Sequence, residues 1–398
     1  MNPVECIERL ITEKKLVGAA LRVRHKGEVI CESVQGCADL ERRIPVNADT
    51  IYRLASMTKP VTGIAIMQLV EQGKLSLDDP LEKYIPAYRG MLVASGITQP
   101  GILSQSNKVD LNELRVEAAK QPITVGMLLN HSSGLGQGPM GELFLKSKLP
   151  FVSLEQTVNQ LAHLPLDFQP GEGTGYSALA AFDVLGRLVE VVTGKSFDTY
   201  LNENIFGPLR IRDVCFLLDE EQQGRVARVY TCAEGKDPVA VTYDKSDDLF
   251  RIDPIISGYF SGAGGLYGSL NGYERITLML LGEGSLDGVR ILKPETVRKM
   301  ATPYGNKNLP IPGLCWGLSI AVYDGTGRSR WIGPGSFGWS GGFGTHFYVD
   351  PKNDLAVLFM TNQTDMHAVN PIFLEVEEAI YNTYISRFAD TGACDKNK

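Results

Sequence analysis

Strand-like patterning lies at the two ends of this chain, and that placement constrains the fold more than any single motif. After a short N-terminal amphipathic helix, the β-rich runs Val17 to Arg24 and Glu28 to Gln35 flank His25-Lys26-Gly27 and read as a hairpin. Further strand-like runs come near the other end, at Leu314 to Tyr323, Phe343 to Val349 and Leu355 to Thr361. A last amphipathic helix from Pro371 to Phe388 precedes a polar tail ending Asp395-Lys396-Asn397-Lys398. Between about Leu81 and Pro254 the pattern is mostly helical with long loops. The economical solution is an α+β (α/β sandwich) fold: an antiparallel sheet assembled from both ends, flanked by helices, with a helical domain inserted. The expected division is 1–84 and 255–398 for the sheet domain and 85–254 for the insertion.

Three internal helices stand out. From Met57 to Gln72, Val61, Ile64, Ala65 and Leu69 keep helical spacing and Gly73 sits where a C-terminal cap belongs, which predicts a central, buried helix. From Ser177 to Thr193, Leu179, Phe182, Leu185, Val189 and Val192 form one stripe ended by Gly194. A third runs from Asn271 to Leu281, after the glycine-rich Ser261-Gly262-Ala263-Gly264-Gly265-Leu266. The polar, unpatterned stretch Gly96 to Asn112 reads as a loop, at the surface or lining a pocket.

Composition narrows the partners. Acidic residues outnumber basic ones by 46 to 39, so no basic field exists to hold nucleic acid. No apolar run approaches the ~20 residues of a spanning helix, so membrane insertion is not expected. Met1 to Lys15 lacks the basic and apolar blocks of a secretory signal, and the seven cysteines are scattered without a C-x-x-C. Together these predict a cytoplasmic protein with reduced thiols and neither zinc nor a disulfide framework. The sequons at Asn130-His131-Ser132 and Asn362-Gln363-Thr364 are then incidental. The expected partner is a small molecule, and nothing in the sequence sets the oligomeric state.

Three segments carry chemistry. Ser56-Met57-Thr58-Lys59 opens the buried helix and is the chain's one S-x-x-K. Three residues apart on a helix, a hydroxyl and an amine share a face, as a nucleophile and its base require. Ser56 could instead simply cap the helix, yet Lys59 places a cation in the first turn, where the helix dipole favours Asp or Glu. Pro170-Gly171-Glu172-Gly173-Thr174-Gly175-Tyr176-Ser177 puts a phenol at the entry to another helix, for proton transfer or for packing. Gly338-Trp339-Ser340-Gly341-Gly342-Phe343-Gly344 contains the one G-x-S-x-G, followed by Asp354 and His367 in the order of a triad. A nucleophile elbow needs a strand before the serine and a helix after it, and here strand-like runs follow.

Taken together, these segments resemble the serine β-lactamase and penicillin-binding protein superfamily, particularly class C β-lactamases and their esterase relatives. Leu128-Leu129-Asn130-His131-Ser132-Ser133-Gly134-Leu135 is similar to that family's LLxHTSGL, and Gly264-Gly265-Leu266 to its GGL. Similarity extends through Leu185-Gly186 to Thr193-Gly194, Phe206-Gly207-Pro208-Leu209 and Val349-Asp350-Pro351, most of the chain. The resemblance implies a β-lactamase/transpeptidase-like fold, Ser56 as acylated nucleophile, Lys59 as its base and Tyr176 as proton shuttle. It further implies the backbone N–H groups of Ser56 and Gly342 as an oxyanion hole, Trp339, Ser340 and Gly341 against substrate, His131 as structural, and no metal or organic cofactor.

Two departures bear on substrate. Tyr176-Ser177-Ala178 replaces the family's Tyr-x-Asn, and Trp339-Ser340-Gly341 replaces the lactamases' Lys-Thr-Gly. An indole offers one N–H and an apolar face where a lysine would hold a carboxylate, which favours neutral esters and matches the W-x-G esterases of the superfamily. The implied activity is therefore a serine hydrolase, a carboxylesterase on short or medium acyl esters. The alternatives are a β-lactamase or D-amino-acid peptidase using the same serine, or a non-catalytic binding protein that kept the shell.

Overall fold

Both ends of the chain meet in one sheet. The computed structural model describes residues 1–95, 114–146, 153–241, 259–305, 311–326 and 331–385. Its main sheet has eight strands in the order Leu314–Trp316, Ala321–Tyr323, Phe337–Gly341, Thr345–Asp350, Leu355–Thr361, Gly18–His25, Glu28–Asp39 and Ile44–Pro45, every neighbouring pair antiparallel. The first long strand pairs with the last, from Ala19 opposite Thr361 to His25 opposite Leu355. The α+β class expected from the patterning is what forms.

Both faces of the sheet are covered, so its central strands are apolar almost throughout. On one face, Leu21, Tyr348 and Phe359 pack with Ile7 and Leu10 of the helix Pro3–Thr12 and with Phe373 and Val376 of the helix Met366–Ile380. On the other, Ala20, Phe347 and Leu358 join a larger core that includes Tyr273 and Ile276 of Leu270–Leu281 and reaches Val61 and Phe182. Adjacent residues such as Phe347 and Tyr348 enter different cores because successive strand side chains alternate.

The helix Thr58–Glu71 is buried from Thr58 through Leu69, with no solvent stripe. Ser319 lies against it at Gly63, where a Cβ would come within 1.9 Å of the serine Oγ, so only glycine fits.

Several expected boundaries shift. The run from Leu314 to Tyr323 is a hairpin of two short strands, with Ser319 at φ 68 between them. The strand expected from Phe343 starts at Thr345, and the glycine-rich segment before it is itself the strand Phe337–Gly341. Glycine's weak strand preference hides that element from pattern reading. The last helix spans Met366–Ile380 and continues as one wider turn, Tyr381–Ile385. The stretch 96–112, the boundary at 254/255, Phe388, Cys394 and the polar tail lie outside the described residues. Among the described residues, no helix is long and apolar enough to cross a membrane.

Candidate active site

Ser56 owes its position to the junction between a small sheet and the buried helix. Strand Ile51–Arg53 pairs with Tyr267–Ser269, and the Leu54 N–H donates to the Leu266 carbonyl at 3.0 Å. The chain then makes the 3-10 turn Ala55–Met57 and enters Thr58–Glu71. Ala55 sits at φ 45, a conformation that costs an L-residue ~1–3 kcal/mol and that clusters at functional sites.

Lys59 follows on the same face, 1% exposed. Its Nζ lies 3.2 Å from Ser56 Oγ and donates to the carbonyls of Ala178 and Ala263, each at 2.8 Å. It also lies 5.0 Å from the centre of the Tyr176 ring and 5.5 Å from that of Phe182. Among the described residues, no carboxylate forms an ion pair with it. The Tyr176 hydroxyl donates to Ser56 Oγ at 2.6 Å. One half-buried hydroxyl is thus held between an amine and a phenol. Such a set can take a proton from the serine and return one to a leaving group without histidine.

The loop carrying Tyr176 is pinned by side chains rather than by regular structure. The expected helix start at Ser177 moves to Ala180, because Ser177 is otherwise engaged. Its N–H donates to His131 Nδ1 at 3.1 Å, its hydroxyl donates to the Leu135 carbonyl, and that oxygen accepts the Ala181 N–H. The irregular 176–179 segment is what turns the Tyr176 hydroxyl to Ser56 and the Ala178 carbonyl to Lys59. Burial, and then the nearby Lys59, hold the His131 pKa well below the usual imidazole range. The neutral ring packs on Tyr176, Phe182 and Trp316 at 5.1, 5.2 and 4.1 Å between centroids. His131 supports the loop as a structural residue would.

Sequence reasoning overlooked Asp183. It is fully buried one turn into Ala180–Thr193, and burial pushes its carboxyl up to about 6. It accepts from the Tyr259 hydroxyl, from Ser261 Oγ at 2.7 Å and from the Ala263 N–H at 3.2 Å. Those bonds fix the glycine-rich segment whose Ala263 carbonyl receives Lys59. An acidic residue inside the apolar stripe between Phe182 and Leu185 was the available signal.

Strand Phe337–Gly341 forms the opposite wall. The Trp339 ring lies 5.5 Å from Tyr176 and 4.9 Å from Trp316, a second residue not anticipated. Gly341 packs so closely on Leu54 that a Cβ would come within 2.1 Å of its carbonyl oxygen. A Cβ on Gly342 would meet nothing within 4 Å. Among the described residues, the N–H groups of Ser56 and Gly342 find no hydrogen-bond acceptor, so both remain free for an oxyanion. The Ser340 side chain is not brought here: it points through the other face of the sheet to His346. This also overturns the elbow alternative, since Gly342-Phe343-Gly344 is a turn into the strand Thr345–Asp350 and His367 is not the partner of Ser340.

An antiparallel sheet sandwiched between helices, with S-x-x-K at the head of the buried helix and a tyrosine across from it, is the architecture of the serine β-lactamase and penicillin-binding protein superfamily. The beta-lactamase family model matches residues 4–374, and the chain belongs to that family. A Mycobacterium tuberculosis protein, Rv1367c, is 32% identical over 370 residues, covering 87% of this chain and 85% of that protein. Esterase EstB of Burkholderia gladioli is 28% identical over 400 residues, 94% of this chain and 93% of that enzyme. Among solved structures, EstCE1, described as a hydrolase with promiscuous acyltransferase activity, superposes with a TM-score of 0.75 at 24% identity, covering 95% of this chain and 97% of that one.

Proposed function

We propose that this protein is a carboxylesterase that cleaves short or medium acyl esters through an acyl-enzyme on Ser56. The observation that carries the reading is Ser56 Oγ held 3.2 Å from Lys59 Nζ and 2.6 Å from Tyr176 Oη. A neutral Lys59 that gives its two amine hydrogens to Ala178 and Ala263 would keep its lone pair for the serine proton. Ser56 Oγ attacks the ester carbonyl and its proton passes to Lys59. The oxyanion is met by the Ser56 and Gly342 N–H groups, and Tyr176 protonates the departing alkoxide, the proton that Lys59 took from Ser56 balancing the one Tyr176 gives up. In the second half a water takes the alcohol's place, and the acid leaves as Ser56 regains its proton.

The aromatic wall of Tyr176, Trp316 and Trp339 supports neutral esters over carboxylate-bearing lactams or peptides. The test is intact mass after a fluorophosphonate probe, with peptide mapping, alongside turnover of p-nitrophenyl butyrate and nitrocefin. An adduct on Ser56 that disappears in Ser56→Ala, with the ester turned over faster, is expected. Faster nitrocefin cleavage would reverse the substrate assignment, and absence of any adduct or turnover would leave the binding-protein alternative.

A further inference from the structure

The motif that the proposed function leaves unused is Ser340, and the structure gives it unexpected company. Ser340 Oγ lies 2.8 Å from His346 Nδ1, and His346 Nε2 lies 3.0 Å from Glu377 Oε1. Ser340 and His346 are directly opposite in register on neighbouring strands, so their side chains share a face. Glu377 comes from the helix Met366–Ile380. His346 and Glu377 are 5% and 4% exposed, and Phe373 lies parallel to the imidazole at 4.7 Å. A buried polar chain of this kind costs desolvation that an apolar trio would avoid, and what it supplies is one fixed geometry.

The strand needs such fixing. Phe337–Gly341 is paired along its whole length with Thr345–Asp350 on one edge. On the other edge, among the described residues, only Phe337 and Gly338 are paired, opposite Val322 and Ala321. Among the described residues, 339–341 therefore have a strand partner on one side only, and theirs is the stretch that presents Trp339 to Tyr176, sets Gly341 on Leu54 and leads into Gly342. Ser340 is the middle residue of that half-supported stretch.

We propose that Ser340, His346 and Glu377 form a relay from the C-terminal helix that positions the site-facing half of Phe337–Gly341, and with it the Gly342 N–H and the Trp339 ring. Ser340 and His346 are positioning residues, acting through the strand from the face opposite Ser56. The inference rests on the esterase reading above.

The test measures kcat and KM separately for p-nitrophenyl butyrate, with thermal unfolding and adduct mapping, in Ser340→Ala, Ser340→Thr and Glu377→Gln. Displacing an oxyanion donor by a fraction of an ångström predicts about a tenfold fall of kcat in Ser340→Ala, with KM moved less. Ser340 is half-buried, so the variant should stay folded. Ser340→Thr keeps the hydroxyl and should restore kcat, and Glu377→Gln, which keeps an acceptor oxygen for His346, should lose less than Ser340→Ala. Unchanged kcat and KM in Ser340→Ala would overturn the relay while leaving the esterase intact. So would failure of a folded Ser340→Thr to recover, or an adduct on Ser340 that survives Ser56→Ala. A wild-type protein with neither turnover nor a Ser56 adduct would instead overturn the esterase reading, and the relay's role with it.

Discussion

Replacing Tyr176 by Phe separates chemistry from packing. The ring lies nearly parallel to Trp316, at 8° and 6.1 Å, and touches His131 and Trp339, all of which phenylalanine preserves. What is lost is a single hydroxyl and its 2.6 Å bond to Ser56 Oγ. A bond of that kind contributes ~1 kcal/mol net to stability, so the unfolding midpoint should move by no more than about 2–4 °C. As an acid and base on the reacting oxygens, the same hydroxyl should be worth about 10²–10⁴ in rate, or ~3–5.5 kcal/mol. The leaving group sharpens the comparison. A p-nitrophenolate departs as its anion and needs no proton, whereas an alkoxide does, so the loss in acylation should be larger for ethyl butyrate than for p-nitrophenyl butyrate. The assay is steady-state turnover of both esters, with Ser56 titrated by a fluorophosphonate to count sites. A Tyr176→Phe enzyme within threefold of wild type on ethyl butyrate would refute the shuttle. An equal loss on the two esters would refute its role toward the leaving group.

Two further perturbations follow from the geometry. Asp183 titrates at about 6 in the folded protein against an ordinary 3.8. The folded state therefore holds this proton more tightly, and its stabilising contribution, complete below 3.8, is lost as pH rises from 3.8 to about 6. That difference corresponds to ~3 kcal/mol, so urea titrations of Asp183→Asn and wild type at pH 4.5 and 7.5 should show the balance moving toward the variant at the higher pH, and a constant gap would contradict it. At Gly341 a Cβ would sit 2.1 Å from the Leu54 carbonyl oxygen and 2.3 Å from Thr345 Oγ1, whereas at Gly342 it would meet nothing within 4 Å. Gly341→Ala should therefore lose ~1–3 kcal/mol and turnover with it, while Gly342→Ala stays near wild-type stability; indistinguishable melting of the two variants would contradict the packing argument.

What the sequence revealed and what it concealed divide along a physical line. The buried helix at Thr58–Glu71 was legible because burial on all sides demands an apolar run, and Gly73, at φ 68, marked its end. Ser56 and Lys59 were legible because a cation in a first helical turn contradicts local stability and so calls for another reason to be there. Tyr176 was legible as a position but not as a geometry. Its orientation depends on Ser177 hydrogen-bonding to His131 and Leu135 instead of starting the helix, and those partners lie more than 40 residues away in sequence. Strand Phe337–Gly341 was misplaced for the converse reason. Gly341 is present because the backbone of Leu54 approaches too closely for a side chain, and Gly338 because the Phe347 carbonyl and Tyr348 do, and those demands remove the very residues by which a strand is recognised. The pairing of Ser340 with His346 and Glu377 was beyond reach for the same cause: with the strand-like run begun only at Phe343, the alternation over 337–341 is lost, and with it the rule that sends Trp339 to one face and Ser340 to the other. The elements that turn Tyr176 and Trp339 toward Ser56 are thus those whose local sequence answers to a distant neighbour, and reading them requires the tertiary contact first.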